Sequence, residues 1–302
     1  MHFLSSLSLF GKSKRQVTAW VGLLCVTSLI MSGCGGDKPK PPAPAGGGAA
    51  TTPAKPVSKP ATPVKPAATK ATKQPKALGA GSIKGKVVLK GTPYKNAPID
   101  MSAKSDCEEH YEDEGIEDVF EDVVIVGEGG ALKNAIVYIS DGTPKGDFGV
   151  LQETVVLDQK GCMYSPHVFA VQALQPVMIR NSDGFLHNIH SYPQDELNDS
   201  FNFGQKAGDD KTAEPFEEEE LIQFKCDVHA WMSSYGRVFS HPYFSVTGAD
   251  GGFEIKNLPA GKYKLSVWHE HYGKTDDDEL TQDVEVGDDE AKSGVEFTFE
   301  AK

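Results

Sequence analysis

The chain has no Gly-x-Ser-x-Gly, no His-Glu-x-x-His and no glycine-rich phosphate loop, so the short signatures of common hydrolytic and phosphoryl-transfer chemistry are missing. Carboxylates are plentiful, yet nothing in the sequence pairs two of them for acid–base work. Apolar repeats at helical period are also missing. After Met31 no apolar run is long enough to span a bilayer. Large apolar side chains almost vanish from residues 37–78, which are Pro, Ala, Lys, Thr and Gly. Such a stretch buries too little surface to offset chain entropy, so it is expected to be a disordered tether. About 40 residues at ~3 Å each give it a reach on the order of 100 Å. Basic charge is scarce where folding is expected. The net charge is −13, but residues 1–33 carry +3 and residues 37–78 carry +7, leaving −23 on 79–302. A body that acidic argues against nucleic acid and anionic lipid as partners. It suits a basic partner protein, and equally it suits simple solubility.

The N-terminus gives an address. Lys12, Lys14 and Arg15 precede the mostly apolar Val17–Met31, the layout of an export signal rather than a spanning helix. Met31-Ser32-Gly33-Cys34 resembles a bacterial lipobox. The resemblance implies a signal over 1–33, acylation of Cys34, and a lipidated linker over 34–80. The chain would then be held to the cell envelope, at the outer membrane facing the periplasm or the cell surface; a plain uncleaved anchor is the alternative.

From Gly81 onward the pattern is β. Ser82–Leu89 and Asn134–Ile139 read as strands, and Tyr263–Trp268 alternates at period two. Asp141-Gly142, Asp183-Gly184, Asp250-Gly251-Gly252 and Pro259-Ala260-Gly261 supply turns. The expected fold class is all-β, with two units. Thr247, Asp250-Gly251-Gly252-Phe253-Glu254-Ile255 and Leu258-Pro259-Ala260-Gly261-Lys262-Tyr263-Lys264-Leu265 form a phrase that resembles the carboxypeptidase regulatory-like domain, a small transthyretin-like sandwich. That family's opening strands match Gly85-Lys86-Val87 and Ala135–Ile139, about a hundred residues too early. Insertion explains the gap: one sandwich over 81–149, with an acidic loop, resumes over 243–302, and a second unit occupies 150–242. Tandem domains are the alternative, but residues 81–142 alone hold too few strands to close a core.

Residues 150–242 carry the chemistry. Gly184-Phe185-Leu186-His187-Asn188-Ile189-His190 is followed, 39 residues after His187, by Cys226-Asp227-Val228-His229-Ala230-Trp231-Met232. Copper cycling between two oxidation states needs imidazole nitrogen for Cu(II) and soft sulfur for Cu(I), and a His₂Cys plane with a weak axial Met serves both. Asn181–Ile189 resembles the plastocyanin segment around its first copper histidine, and Cys226-x2-His229-x2-Met232 resembles the short loop of amicyanin. The resemblance covers roughly 152–240, including Tyr164–Phe169 and Pro176–Ile179, where cupredoxins have strands. It implies a cupredoxin-like Greek-key sandwich with one type 1 (blue) copper. His187, Cys226 and His229 would be its equatorial ligands and Met232 the axial one. Asn188 would bond across to the Cys226 loop. Phe185 and Trp231 would line the apolar surround and an exposed patch at the His229 edge. Gln175-Pro176, and Ser233-Ser234-Tyr235-Gly236 after Met232, depart from the family pattern and bear on loop shape.

Other residues compete for these roles. His190 lies off the ligand face by strand parity and is the substitute for His187 if the loop is shifted. His167 reads as structural. His241, His269 and His271 lie outside 150–242, and Trp268-His269-Glu270 reads as a solvated strand end rather than a second metal site. Once Cys25 leaves with the signal and Cys34 is lipidated, Cys107, Cys162 and Cys226 remain, an odd count that leaves one thiol free or metal-bound. If Cys226 binds copper, Cys107 and Cys162 are free to pair; a Cys162–Cys226 bond would destroy the site. Glu217–Glu220 and Asp276–Glu279 read as solvated acidic runs that could steer a basic partner. The leading expectation is a non-enzymatic, membrane-tethered one-electron carrier serving a redox partner protein, such as a basic c-type cytochrome or a dehydrogenase. A structural or adhesive, carbohydrate- or protein-binding lipoprotein with little or no copper is the alternative, and an envelope copper buffer or sensor is a third.

Overall fold

Alternation at period two becomes strand wherever one face can be buried. The computed structural model describes residues 74–273 and 280–301. The export signal, the lipobox, nearly all of the 37–78 tether and Asp276–Glu279 lie outside the described residues. Sixteen strands run in order: β1 (Gly81–Lys90), β2 (Ile136–Asp141), β3 (Val155–Lys160), β4 (Met163–Ser165), β5 (Val168–Gln172), β6 (Val177–Asn181), β7 (His187–Pro193) and β8 (Asn202–Gln205). They continue with β9 (Asp210–Thr212), β10 (Glu220–Lys225), β11 (Ser233–Phe239), β12 (Phe244–Val246), β13 (Gly252–Leu258), β14 (Gly261–Trp268), β15 (Leu280–Val286) and β16 (Ala291–Glu300). The protein is an all-β sandwich fold.

Pairing sorts these strands into two sets. The sheets β13-β1-β16 and β12-β2-β14-β15 draw only on strands before residue 142 and after residue 243. They share one core, to which Ile83 and Val87 of β1, Val137 of β2, Leu265 of β14 and Phe297 of β16 contribute. The sheets β4-β3-β6-β9 and β5-β11-β10-β7-β8 draw only on strands between 155 and 239. Their core holds Leu157, Ile179, Ile189, Ile222, Phe224 and Val238. Gly236 of β11 lies opposite Phe169 of β5, and a Cβ there would stand 2.5 Å from the Phe169 ring. The ring occupies the space a side chain would need, which accounts for the glycine in a strand interior.

β5 is buried along its whole length. Phe169 and Val171 face the core of their own sandwich, while Val168 and Ala170 pack against Ile136, Tyr138 and Trp268 of the other. A strand covered on both faces reads as a continuous apolar run rather than an alternation. Trp268 and Glu270 are buried at this junction, and His269 is buried beside Tyr272 and Phe299 of its own sandwich, which corrects their reading as a solvated strand end. Burial there brings the Glu270 carboxylate 2.5 Å from His167 Nε2, while Asp122 stands 2.9 Å from His167 Nδ1.

The acidic stretch beside Cys107 is a further correction. Its carboxylates are exposed, as a solvated stretch should be, but it is a helix, α1 (Ser105–Asp113), not a loop. Asp106 and Glu108 in its first turn suit the positive end of the helix dipole. Its apolar face is a single buried residue, Cys107, too little for a periodic signal. The Glu217–Glu220 run also divides. Glu220 is buried and accepts bonds from the Asp195 and Asn198 backbone at 2.6 and 3.0 Å, whereas Glu217, Glu218 and Glu219 are exposed.

Burial pulls the His167 pKa down, but Asp122 and Glu270 outweigh it and hold the group up at about 9. The folded state therefore binds a proton the unfolded state releases above about pH 6.5. The stabilisation is full below that pH and is lost as pH rises through 9. Cys226, held down at about 6, acts in the opposite sense over the same range, so the readout is a difference: in equilibrium unfolding the stability of the wild type relative to His167→Gln should fall by on the order of 3 kcal/mol across this window.

Candidate metal centre

His187 opens β7, and Cys226 follows the last residue of β10. These strands pair antiparallel with Lys225 opposite His190, so the start of one meets the end of the other. After Cys226 the chain turns tightly: Met232 N–H donates to the His229 carbonyl at 3.0 Å and Cys226 N–H to the Met232 carbonyl at 3.3 Å. The loop thereby returns Met232 to the level of Cys226.

Donor atoms of His187, Cys226 and His229 lie within 4.8 Å of one another, and all three residues are buried. The Nδ1 atoms of the two rings face each other at 3.0 Å, and Cys226 Sγ stands 3.5 Å from His229 Nδ1. Met232 is fully buried in the same apolar cluster as Cys226. Asn188 joins the two segments: its Oδ1 accepts from the Asp227 backbone at 2.7 Å and from the Cys226 thiol at 3.2 Å. His190 stands apart, half-buried, beside the Tyr192 hydroxyl at 2.8 Å and the Asn202 amide at 3.1 Å.

Cys226 is the free thiol among the described residues, and Cys107 is disulfide-bonded to Cys162. Burial pushes the Cys226 thiol up, but hydrogen bonds from His187 and His229 and nearby backbone N–H groups outweigh it, bringing the pKa to about 6. The sulfur is thus prepared as a thiolate, the form that binds metal. Two imidazoles, a thiolate and a buried thioether fit a thiophilic transition metal, copper above the rest.

Two features escaped the sequence. Asp183, which reads there as a turn residue, is buried, and its Oδ2 accepts the His187 Nε2–H at 2.7 Å. Burial raises its pKa, but His187 and the Cys162 and Gly161 backbone prevail and hold it below the usual carboxylate value. The bond orients the ring so that His187 Nδ1 is turned toward the other donors. Its only signal in sequence is the four-residue offset from His187.

The second is a correction. The His229 ring is not open to solvent: His229 is only 4% exposed. Phe185 and Trp231 are half-buried against Met101 and the Cys107–Cys162 disulfide. The apolar residues open to solvent here are instead Leu186 and Val228, 54% and 37% exposed, one before each histidine.

No family model and no curated protein matches the chain. Solved structures similar to part of it include a purple cupredoxin from Nitrosopumilus maritimus, at 23% identity and TM-score 0.25 over 29% of this chain and 100% of that one. An amicyanin variant in its Cu(I) form matches at 17% identity and TM-score 0.27, over 34% of this chain and 98% of that one. A Cu-containing nitrite reductase from Thermus scotoductus SA-01 matches at 17% identity and TM-score 0.27, over 32% of this chain. The chain spans only 25% of that reductase's length.

Asn188→Ala removes the acceptor shared by the Cys226 loop. Urea unfolding should show a loss of about 1–3 kcal/mol, the cost of leaving buried donors unpaired.

Proposed function

We propose that this protein is a type 1 copper protein that carries single electrons in the cell envelope, tethered to a membrane through Cys34. The carrying observation is the buried convergence of His187, Cys226 and His229 donors within 4.8 Å, with Met232 buried on the same loop. Copper, when bound, supplies a one-electron couple. His187 and His229 would hold it through nitrogen, Cys226 through a thiolate, and Met232 through its thioether. Asn188 keeps the two ligand segments in register, Asp183 fixes the His187 tautomer, and Phe185 and Trp231 keep water out. Four protein donors leave no open position for a substrate, which favours electron transfer over oxidase chemistry.

The strand pairing supports an insertion: a cupredoxin-like module over 150–242 interrupts a transthyretin-like sandwich that resumes at 243. With −23 on residues 79–302, a basic protein such as a c-type cytochrome is the proposed redox partner. Leu186 and Val228 offer it an apolar foothold between the two histidines.

Adding Cu(II) to the full chain should give an intense visible thiolate-to-copper band. Cys226→Ser and His187→Ala should abolish it, and His190→Ala should leave it in place. Copper bound without that band would favour the buffering role, and a band surviving Cys226→Ser would sink the electron-carrier reading.

A further inference from the structure

His229 lies at the end of a tight exposed turn, flanked by the solvent-facing Val228 and Ala230, so its burial needs a cover. The His187 ring of β7 meets it on one side, Nδ1 to Nδ1 at 3.0 Å, and another side is met from outside its own strands. One ring nitrogen of His229 and the sulfurs of Cys107 and Cys162 lie within 4.8 Å of one another. Cys162 precedes β4, but Cys107 belongs to α1, in the long connection between β1 and β2. Met101 joins the disulfide in a small buried cluster against which Ile99, Tyr111, Val119 and Trp231 pack. The Tyr111 hydroxyl donates to the Gly161 carbonyl at 2.7 Å, and the Trp231 indole donates to the Cys162 carbonyl at 2.9 Å. Residues 99–119 therefore reach over the histidine side of the centre from a different sandwich, and the disulfide is their covalent tie.

The same turn reaches His187. Gly161 and Cys162 both adopt positive φ, 60° and 54°, unusual for a cysteine. Their backbone N–H groups donate to Asp183 Oδ1 and Oδ2 at 2.6 and 2.9 Å. Oδ2 also receives the His187 ring. A movement of the disulfide would move the carboxylate that orients the ligand.

We infer that the Cys107–Cys162 disulfide is a positioning device for the centre. It pins residues 99–119 as a cover over His229 and, through the Gly161-Cys162 turn and Asp183, fixes the His187 ring. The inference deepens the copper reading and rests on it for its purpose, which is to keep the histidine side dry and rigid. The geometry exists without metal, so it is tested on the metal-free chain and fails separately from that reading.

The measurement is the rate at which iodoacetamide alkylates Cys226 in the metal-free full-length chain, followed by peptide mass mapping. The paired variant Cys107→Ser/Cys162→Ser creates no new thiol and should react roughly tenfold faster than wild type, because the cover opens more often. Tyr111→Phe, which keeps the disulfide and loses one bond to the Gly161 turn, should react roughly threefold faster. Circular dichroism must show native sheet content for each variant; if the paired variant unfolds, Tyr111→Phe decides. Ring ¹⁵N signals of His187, recorded at a pH where the ring is neutral, should report one tautomer in the wild type and a mixture in the variants, a change that lost stability alone would not produce. Alkylation within about twofold of wild type in a folded variant, or an unchanged tautomer, overturns the inference.

Discussion

The antiparallel register of β7 on β10 is the constraint on which the centre depends. With Lys225 opposite His190 and Phe224 opposite Ser191, the first residue of β7 arrives beside the residue after β10. A slip of one residue would turn His187 to the other face of the sheet. The ligand loop could then close on itself but would meet no second imidazole. Asn188 reinforces the register where the ladder ends, taking the Asp227 N–H that no strand partner accepts. Asn202 holds Asp227 from the far side at 2.7 Å, so β8 also contributes to a bond that spans the ligand segments.

Charge follows from this geometry. Bringing a thiol, two imidazoles and a carboxylate together without water is costly unless each charge finds a partner. Asp183 meets that condition with three donors, one of them a ligand ring, and Cys226 meets it with the histidines. Burial alone would drive Cys226 toward the neutral thiol and His187 toward the neutral ring. The pairing reverses both directions. The centre is therefore polarised before any metal enters, with negative charge on sulfur and on the carboxylate behind His187.

What the sequence disclosed follows the range of the interactions. β1 and β14 were legible because their alternation is local, and so was the meeting of His187, Cys226 and His229, because their chemistry and spacing sit in two short phrases. Asp183 and α1 were not. A carboxylate four residues before a histidine in a loop has no periodicity to betray it, and α1 is buried through one cysteine. The burial of Glu270 depends on His167, 103 residues earlier in the chain. The covering of His229 depends on Cys107, more than a hundred residues before it. The last two are contacts between sandwiches, which no pattern inside either one records.

Those contacts also explain why the two strand sets belong to one working molecule. His229 sits on a turn of its own sandwich between the exposed Val228 and Ala230. Here the other sandwich supplies the cover, by a covalent bond at Cys162 and by α1. The apolar junction of Val168 and Ala170 with Tyr138 and Trp268 prevents the bodies from swinging apart about that bond. The His167 cluster adds a charged tie at the same junction. A disulfide alone would leave the cover free to pivot; the junction alone would leave the 99–119 connection loose at its tip. Only together do they hold a sulfur within 4.8 Å of the His229 ring, and that closeness leaves Leu186 and Val228 as the apolar residues through which this side of the centre meets solvent.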